Sequence, residues 1–203
     1  MSFRPRDPKT PAIVAPTMKK WSLTETREVG HFRIFAVDNS DLFDGDGKRR
    51  GDVYTMRCSN WCHVIPITPE GQIVMVWQYR FGSDALSLEI PGGVIDEGEE
   101  PIVCAARELL EETGYAAGSI EPFGSVQPNP AFAGNRLYSF IAHDVTFSGE
   151  TAFDPLEELE VTLVNQADIA QLLDDGVIEH ALVHCALERF LRMSRLGRLD
   201  RRS

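Results

Sequence analysis

The chain has 203 residues, of which 43% are hydrophobic and 25% are charged, and these fractions are typical of a globular protein. They exclude disordered, collagen-like and coiled-coil classes. No apolar stretch approaches the ~18 residues that span a bilayer, so we expect no membrane partner. The first 20 residues contain four prolines and no apolar signal-peptide core, and four cysteines in a chain of this length do not form a disulfide framework, so we expect a cytoplasmic protein.

The net charge of −11 is unevenly spread along the chain. Eleven of the 20 basic residues lie at the two ends, five in residues 1–20 and six from Arg189 onward. The middle of the chain is therefore strongly acidic. This disfavours nucleic acid as a partner, because phosphate contacts need a basic surface. Clustered carboxylates in the middle of the chain favour a hard divalent cation instead.

In chain order, the sequence predicts an extended arm, a series of strands, one helix, further strands and two terminal helices, which is typical of an α/β sandwich. Prolines prevent a helix in residues 1–20, and a polar loop is predicted over 38–51. The predicted strands cover 31–37, 53–57, 63–68, 72–79, 86–90, 125–126, 136–144 and 160–163. The predicted helices cover 101–113, 165–174 and 178–192.

The helix predicted over 101–113 has two contrasting sides. At 100° per residue, Glu108, Glu111 and Glu112 fall within ~100° of arc. The opposite side is apolar, with Ile102, Val103, Ala106, Leu109 and Leu110. We expect the apolar side to pack into the domain while the carboxylates project together. A bound divalent cation would offset their repulsion, although spacing alone fits a solvated acidic face equally well.

The loop before this helix favours the metal site. Gly92-Gly93 follows a strand and allows close approach of the backbone to a ligand, and Glu99 adds a carboxylate at the helix entrance. From Gly93 to Tyr115 the residues follow the pattern G-x5-E-x7-R-E-L-x-E-E-x-G-Y, which resembles the Nudix box, with Tyr115 in place of the usual aliphatic end residue. Nudix enzymes hydrolyse a nucleoside diphosphate linked to another group and use Mg²⁺ or Mn²⁺ held by this loop and helix.

Further segments resemble the ADP-ribose and nucleoside-diphosphate-sugar pyrophosphatases of this family. They are residues 78–80, 89–93, 111–115, 129–131, 135–140 and 175–178. The resemblance implies a Nudix-type α/β/α sandwich with a mixed sheet and an N-terminal β segment. The implied division is an extended arm over 1–20, an N-terminal β segment over 21–60, a Nudix catalytic domain over 61–195 and a basic tail over 196–203.

The resemblance also implies a reaction. This is metal-dependent hydrolysis of the pyrophosphate bond of ADP-ribose or a related nucleoside diphosphate sugar, giving a nucleoside monophosphate and a sugar phosphate. Two alternatives stay open: hydrolysis of nucleoside triphosphates or dinucleoside polyphosphates, and a nucleotide-sugar sensor that keeps the fold without turnover. Such a sensor usually lacks one of the box glutamates, and all of them are present here.

Site roles follow from the resemblance position by position, except that Arg57 and Arg80 are proposed because the pyrophosphate needs a positive group. The implied ligands of Mg²⁺ or Mn²⁺ are the Gly92 carbonyl, Glu108, Glu111 and Glu112. The catalytic candidates are Arg107, which would brace the glutamates, Glu111, Glu157 and Glu158. The substrate-binding candidates are Arg80, Arg57, Gly93 and Glu99.

The general base is expected in the acidic stretch 154–160 rather than in the box. Glu157 aligns best with the acidic loop position of the sugar pyrophosphatases, and Glu158 is the alternative. Spacing leaves the choice open, because loops vary most between relatives.

The N-terminal β segment predicts a homodimer. Its aromatic residues are Trp21, Phe32, Phe35 and Tyr54. Residues 21–60 are too few for an independent core, so we expect them to pack on a second subunit and to help complete its substrate site. Sugar pyrophosphatases commonly pair through such a segment, so the resemblance points the same way.

Two histidines near the end of the chain are not assigned to the site. His180 and His184 are one helical turn apart and lack a third metal ligand, so a polar stripe on a packed helix explains them.

Overall fold

The computed structural model describes residues 16–149, 151 and 158–199, which form two main β-sheets with helices packed on the larger one. The strands are β1 (Ser22–His31), β2 (Ala36–Phe43), β3 (Arg49–Arg57), β4 (Trp61–Ile67), β5 (Gln72–Arg80), β6 (Ala85–Glu89), β7 (Tyr115–Ala116), β8 (Ser119–Val126), β9 (Leu137–His143), β10 (Thr146–Phe147) and β11 (Leu159–Asn165). The helices are α1 (Pro101–Thr113), α2 (Ile169–Asp174) and α3 (Ala181–Arg195). Within the described ranges, no helix combines the length and the apolar character needed to cross a bilayer.

The first sheet is an antiparallel meander of β1, β2 and β3. The strand predicted over 31–37 is wrong, because Phe32 donates its N–H to the Phe35 carbonyl at 2.8 Å and the chain turns there. Most of the loop predicted over 38–51 is also wrong, because β2 continues to Phe43. The sheet lies within the segment predicted as 21–60, and the predicted division of the chain into an arm, this segment, a catalytic domain and a tail stays a prediction.

Buried polar side chains in β2 explain why this strand was predicted as a loop. Asn39 is 3% exposed; it accepts a hydrogen bond from Arg27 at 2.8 Å and donates one to Asp52 at 2.9 Å. Polar groups with such partners are stable in a buried strand. The turn is confined to residues 44–48, where the Asp44 carboxylate accepts backbone N–H bonds.

The larger sheet is mixed, with the strand order β11-β5-β4-β9-β8 and with β6 paired to β5. β4 and β9 are parallel, and the other neighbours are antiparallel. β4 and β5 pair only at Ile67 and Ile73, so they diverge beyond that point. β6 pairs with β5 in the space between the diverging strands. The residues that follow it, 90–95, are here called the glycine loop. They run along β4, where Cys62 donates its N–H to the Gly93 carbonyl at 2.9 Å.

Helices cover both faces of this sheet, which confirms the predicted α/β/α sandwich. Ile65 of β4 packs in one core cluster with Phe190 of α3, and the next strand residue toward the N-terminus, Val64, packs in a second cluster with Leu109 of α1. All four side chains are at most 1% exposed. Burying an apolar side chain of this size stabilises the fold by about 1.5–3 kcal/mol, so both helix layers are firmly attached.

The last strand is longer than predicted and shortens the helix that follows it. The strand predicted over 160–163 continues as β11 to Asn165, which pairs with Gln72. The helix predicted over 165–174 therefore begins only at Ile169.

The bounds predicted for α1 are confirmed. Pro101 occupies the first turn, where its missing N–H costs no hydrogen bond. Gly114 follows the last residue at φ 70°, and its N–H donates to the Leu110 carbonyl at 2.8 Å. This left-handed cap is the geometry for which glycine is favoured.

The orientation predicted for α1 is wrong. Ile102 is 37% exposed and Val103 is 56% exposed, so much of the apolar side is turned to solvent. The fully buried positions of the helix are Cys104, Ala105, Leu109, Glu112 and Thr113. The small residues at 104 and 105 bring the helix close to the sheet, and the glycine loop covers the side that carries the glutamates.

Candidate active site

The glycine loop passes too close to its neighbours to carry side chains at Gly92 and Gly93. A Cβ at Gly92 would lie 2.3 Å from the Cys62 carbonyl oxygen, and a Cβ at Gly93 would lie 2.3 Å from Glu108 Oε1. Neither residue has a positive φ, so glycine is needed here for space and not for backbone conformation.

The glutamates of α1 lie against this loop with graded burial. Glu112 is 4% exposed, and its Oε2 accepts the Gly92 N–H at 3.0 Å. The Glu108 side chain is 13% exposed and faces Gly93, whereas the Glu111 side chain is 38% exposed. The structure thus places Glu108 and Glu112 against the loop, whereas Glu111 lies on the same side of the helix and is partly exposed to solvent.

Arg107 lies at the centre of these carboxylates. Its Nε and Nη2 each donate to one oxygen of Glu99 at 3.0 Å, and its Nη1 donates to Glu108 at 2.9 Å and to Glu111 at 3.0 Å. The bonds from Arg107, assisted by the Asp96 N–H and opposed by burial, lower the pKa of Glu99 to about 2. The same bonds raise the pKa of Arg107. This arrangement supports the bracing role predicted for Arg107.

The donor chemistry of this cluster fits a divalent cation. Carboxylates and the Gly92 carbonyl are hard oxygen donors of the kind that Mg²⁺ and Mn²⁺ prefer. Across residues 16–149, 151 and 158–199, no three His, Cys, Asp or Glu side chains form a preformed metal cluster. Instead, Glu108 and Glu111 share the Nη1 group of Arg107. Binding a cation there would compete with these two bonds and leave the Arg107–Glu99 pair intact.

Arg80 is paired with a buried carboxylate. Its Nε and Nη2 each donate to one oxygen of Glu89 at 2.7 Å. The Glu89 side chain is 3% exposed and the Arg80 side chain is 42% exposed. Burial by itself would raise the pKa of Glu89, but the hydrogen bond and charge of Arg80 outweigh it, so the pKa lies below its usual range. Glu89 is therefore an anion, and the pair reaches from the core to the surface.

Arg57 lies beside a cleft of about 710 Å³ between β3 and the loop that joins β8 to β9. Its guanidinium donates to both oxygens of Asp38 at 3.1 Å and to Glu28 at 2.7 Å, and these bonds raise its pKa. The cleft lining includes apolar side chains and amides, among them Leu42, Val53, Met56, Phe132, Asn60 and Gln127. It reaches the glycine loop at Asn60, whose carbonyl accepts the Ile95 N–H at 3.0 Å.

Only one of the two candidates for the general base, Glu158, lies within the described residues. Glu157 lies outside the described residues. Glu158 is exposed and directly precedes β11, whose first residue, Leu159, pairs with Gln78 of β5. Leu159, next to Glu158, is therefore opposite a residue two positions along β5 from Arg80, and the choice between the two glutamates stays a prediction.

The sequence matches the model of the NUDIX domain over residues 56–185. Since this match covers more than half of the 203 residues, the chain belongs to the NUDIX family.

Two curated relatives and one solved structure are similar to this chain. The chain is 33% identical to the ADP-ribose pyrophosphatase of Bacillus subtilis over 126 residues, which are 62% of this chain and 68% of that protein. It is 26% identical to the ADP compounds hydrolase NudE of Escherichia coli over 161 residues, which are 76% of this chain and 84% of that protein. The crystal structure of an ADP compounds hydrolase matches with a TM-score of 0.79 and 24% identity over 91% of this chain and all of that one, so the two share a fold.

Sequence reasoning did not find Glu89 as the partner of Arg80, and it assigned His180 to a polar stripe. In the structure, His180 Nε2 lies 3.9 Å from Glu89 Oε2. One signal was present in the sequence: Glu89 is a single carboxylate between two apolar residues, Leu88 and Ile90, which are both buried. An acid flanked in this way needs a partner, because an unpaired buried charge is costly.

Alanine at the two loop glycines should have different effects. Gly92→Ala sets its Cβ against the backbone of Cys62, so we expect a loss of about 1–3 kcal/mol in the free energy of unfolding, as in overpacked cores. Gly93→Ala meets the flexible end of Glu108, so we expect a smaller loss of stability but weaker Mn²⁺ binding. Urea unfolding and calorimetry with Mn²⁺ measure the two effects.

Gly82→Ala is the control, because nothing lies within 4 Å of a Cβ at that position. Equal losses of stability in the Gly92→Ala and Gly93→Ala variants would contradict this account of the loop.

Proposed function

We propose that the protein hydrolyses the pyrophosphate bond of ADP-ribose or a related nucleoside diphosphate sugar, giving a nucleoside monophosphate and a sugar phosphate. The observation that carries the proposal is the position of Glu108 and Glu112 against the Gly92–Gly93 loop, together with Arg107, which bonds both Glu108 and Glu111. Hard oxygen donors at one place are what a metal-dependent phosphoanhydride hydrolase needs.

The substrate class is supported by the relatives and by the cleft. The names of the Bacillus subtilis and Escherichia coli relatives give ADP-ribose and ADP compounds as their substrates. The cleft beside the glycine loop has a volume of about 710 Å³, within the usual range for small-molecule sites, and its apolar and amide lining suits an uncharged base or sugar. We place the part of the substrate that does not react there.

We propose Mg²⁺ or Mn²⁺ as the cofactor, held by Glu108, Glu111, Glu112 and the Gly92 carbonyl. A bound cation would offset the negative charge of the pyrophosphate oxygens and make an attacking water more acidic. Within the protein, the Gly92 N–H fixes the orientation of the Glu112 carboxylate, with an N···O distance of 3.0 Å.

We assign the remaining roles in the reaction to three kinds of side chain: one that braces the site, one that offers positive charge and one that accepts a proton. Arg107 keeps its two bonds to Glu99 and so fixes the segment between the glycine loop and α1 against the helix. Arg80 offers positive charge to the pyrophosphate. Glu157 accepts the proton of the attacking water as the general base, with Glu158 as the alternative.

A substrate panel tests the proposed function directly. ADP-ribose, GDP-mannose, UDP-glucose, dinucleoside polyphosphates and nucleoside triphosphates are each assayed with Mg²⁺ and with Mn²⁺. We expect the highest kcat/KM for a nucleoside diphosphate sugar and no turnover after chelation by EDTA. A preference for triphosphates or dinucleoside polyphosphates would replace the proposed substrate class, and no turnover with any of them would favour a sensor.

Glu112→Gln should lower kcat by at least ~10³-fold, because it removes a charge next to the metal and keeps the size of the side chain. Glu108→Gln should have a similar effect, and Glu111→Gln a similar or smaller one. Glu100→Gln is the matched control, since Glu100 is exposed at the start of the same helix and makes no side-chain capping bond. Near-normal turnover of folded Glu112→Gln would refute the metal site.

Glu157→Gln should lower kcat by ~10²-fold or more, as expected for a lost general base, with KM and metal affinity nearly unchanged. Glu158→Gln should have a smaller effect. Steady-state kinetics and Mn²⁺ titration of both variants measure this, and the opposite ranking would assign the base to Glu158.

A homodimer through the N-terminal sheet is also proposed. Every residue of β1 except Gly30 is exposed, and apolar side chains such as Val29 and Phe32 are 51% and 53% exposed. Within the described residues, no strand pairs with the outer edge of β1. An exposed apolar edge strand of this length is a surface that proteins usually cover, and a second copy of this chain would cover it.

Val29→Glu should dissociate the dimer, because it places a charge in the interface. Light scattering at micromolar concentration should give twice the chain mass for the unmodified protein and the chain mass for the variant. Leu196→Glu, at a residue that is 53% exposed near the end of the described chain, is the control. An unmodified protein that is monomeric and fully active would end the dimer proposal.

A further inference from the structure

Two cysteine thiols meet beside the glycine loop. Cys62 is the second residue of β4 and Cys104 is the fourth residue of α1, and their Sγ atoms are 3.0 Å apart. The two residues are 2% and 0% exposed, and both are free thiols. A disulfide has a sulfur–sulfur distance of about 2.0 Å, so the two sulfur atoms need to approach each other by only about 1 Å.

The other two cysteines of the chain are not paired in this way. Cys58 follows β3 and is half-buried, and Cys185 is exposed on α3. Within the part of the chain that the structure describes, the hydrogen bond between two thiols is the one that joins Cys62 and Cys104. A cross-link between thiols of one chain is therefore expected at this pair.

Both thiols of the pair belong to residues that hold the proposed metal site. Cys62 donates its N–H to the Gly93 carbonyl at 2.9 Å. Cys104 Sγ lies 3.4 Å from the Val94 carbonyl oxygen and 3.4 Å from Arg107 Nη2. A change in the distance between the two sulfurs therefore acts on the glycine loop and on α1 together.

The glycine loop leaves no room for α1 to move towards β4. A Cβ at Gly92 would lie 2.3 Å from the Cys62 carbonyl oxygen, and a Cβ at Gly93 would lie 2.3 Å from Glu108 Oε1. Close-packed interiors transmit such a movement, because they contain few voids that could absorb it. Joining the two sulfurs would therefore press the loop against Glu108, which lies one helical turn after Cys104.

Burial makes the pair slow to react, whereas proximity favours the disulfide as the product. The hydrogen bond with Cys62 first, and burial second, raise the pKa of Cys104, so this group remains a thiol near pH 7. A small oxidant reaches the pair only during local opening of the structure. Once one sulfur is oxidised, the other sulfur is already in contact with it and reacts before a second oxidant arrives.

We propose that Cys62 and Cys104 form a reversible disulfide when the protein is exposed to hydrogen peroxide, and that this bond weakens the divalent-metal site. One thiol sulfur attacks a peroxide oxygen; the O–O bond breaks, and a sulfenic acid and one water form. The second thiol sulfur attacks the sulfenic sulfur; the S–O bond breaks, and the S–S bond and a second water form. The two sulfurs together lose two electrons, which reduce the peroxide. Formation of the bond is independent of the proposed function, but its effect on the metal rests on it.

Peptide mapping of the full chain after treatment with hydrogen peroxide tests whether the bond forms. We expect a linked pair of peptides that contain Cys62 and Cys104, with two hydrogen atoms fewer than the two free peptides. Oxygen added at the exposed Cys185 is recorded separately in the same map. Dithiothreitol should restore both thiols, and its own two thiols become a disulfide in the exchange.

Calorimetry with Mn²⁺ tests the effect on the site. The reduced, the oxidised and the re-reduced protein are compared after the peroxide has been removed. We expect the Kd of Mn²⁺ to rise by about 10-fold on oxidation, the size typical of a disturbed shell around metal ligands, and to return after dithiothreitol. The kcat of the oxidised protein should fall and recover in parallel.

Three variants assign the response to the pair. Cys62→Ala and Cys104→Ala should each abolish the linked peptides and the response of the Mn²⁺ Kd to peroxide. Cys185→Ser is the matched control: it removes an exposed thiol and should keep both the bond and the response. Thermal unfolding shows whether each variant is folded, and the map of the unmodified protein decides on the bond if a variant is not.

The outcomes separate the inference from the proposed function. Oxidised Cys185 with Cys62 and Cys104 still unlinked would overturn the inference, and so would a linked pair with an unchanged Mn²⁺ Kd. The same response to peroxide in folded Cys104→Ala would assign the effect to other residues and would also overturn it. A reduced protein that binds no Mn²⁺ and turns over no substrate of the panel would overturn the proposed function and the effect on the metal, while the peptide map would still decide whether the disulfide site exists.

Discussion

Three glutamates on one side of α1 repel one another, and the site depends on how this repulsion is offset. Arg107 bonds two of them, Glu108 and Glu111, and also Glu99 before the helix, all at N···O distances of 2.9–3.0 Å. The third, Glu112, accepts the Gly92 N–H. A lysine could not replace Arg107, because a single ammonium group lacks the planar fork that holds Glu99 with two bonds while a third nitrogen reaches two further acids. The carboxylates can therefore be gathered in advance, and a cation has only to displace the two bonds to Nη1.

The sequence alone could predict the ends of α1 and the identity of its acidic residues, since both follow from local spacing. The direction in which the helix faces could not be predicted that way. Periodicity assigned Ile102 and Val103 to the core, whereas the structure buries Cys104 and Glu112. The physical reason is the glycine loop: a hydrogen bond from Gly92 makes burial of the Glu112 carboxylate acceptable, and small helix residues allow closer packing than large apolar ones.

Contacts that depend on strand register could not be predicted from the sequence either. Arg80 and Glu89 are nine positions apart; β5 and β6 pair antiparallel with Glu89 opposite Val76, and the Arg80 side chain reaches back along β5 to it. Likewise, Asn39 looked like a loop residue because its partners come from two other strands. A polar residue can be assigned to a strand only once its cross-strand neighbours are known. The residues of the motif, including the bracing Arg107, could be predicted, whereas a partner outside the motif such as Glu89 could not.

The chain on both sides of the glycine loop is held in the same manner. Glu89, just before the loop, is paired with Arg80 of β5, and Glu99, four residues after it, is paired with Arg107 of α1. A loop held on both sides, with two further backbone bonds to β4, has few alternative conformations, so its geometry is set before a ligand binds. Each guanidinium, however, shares its charge with the acids that it bonds, so the two arginines offer a pyrophosphate only part of the positive charge that it needs. A divalent cation would supply the rest.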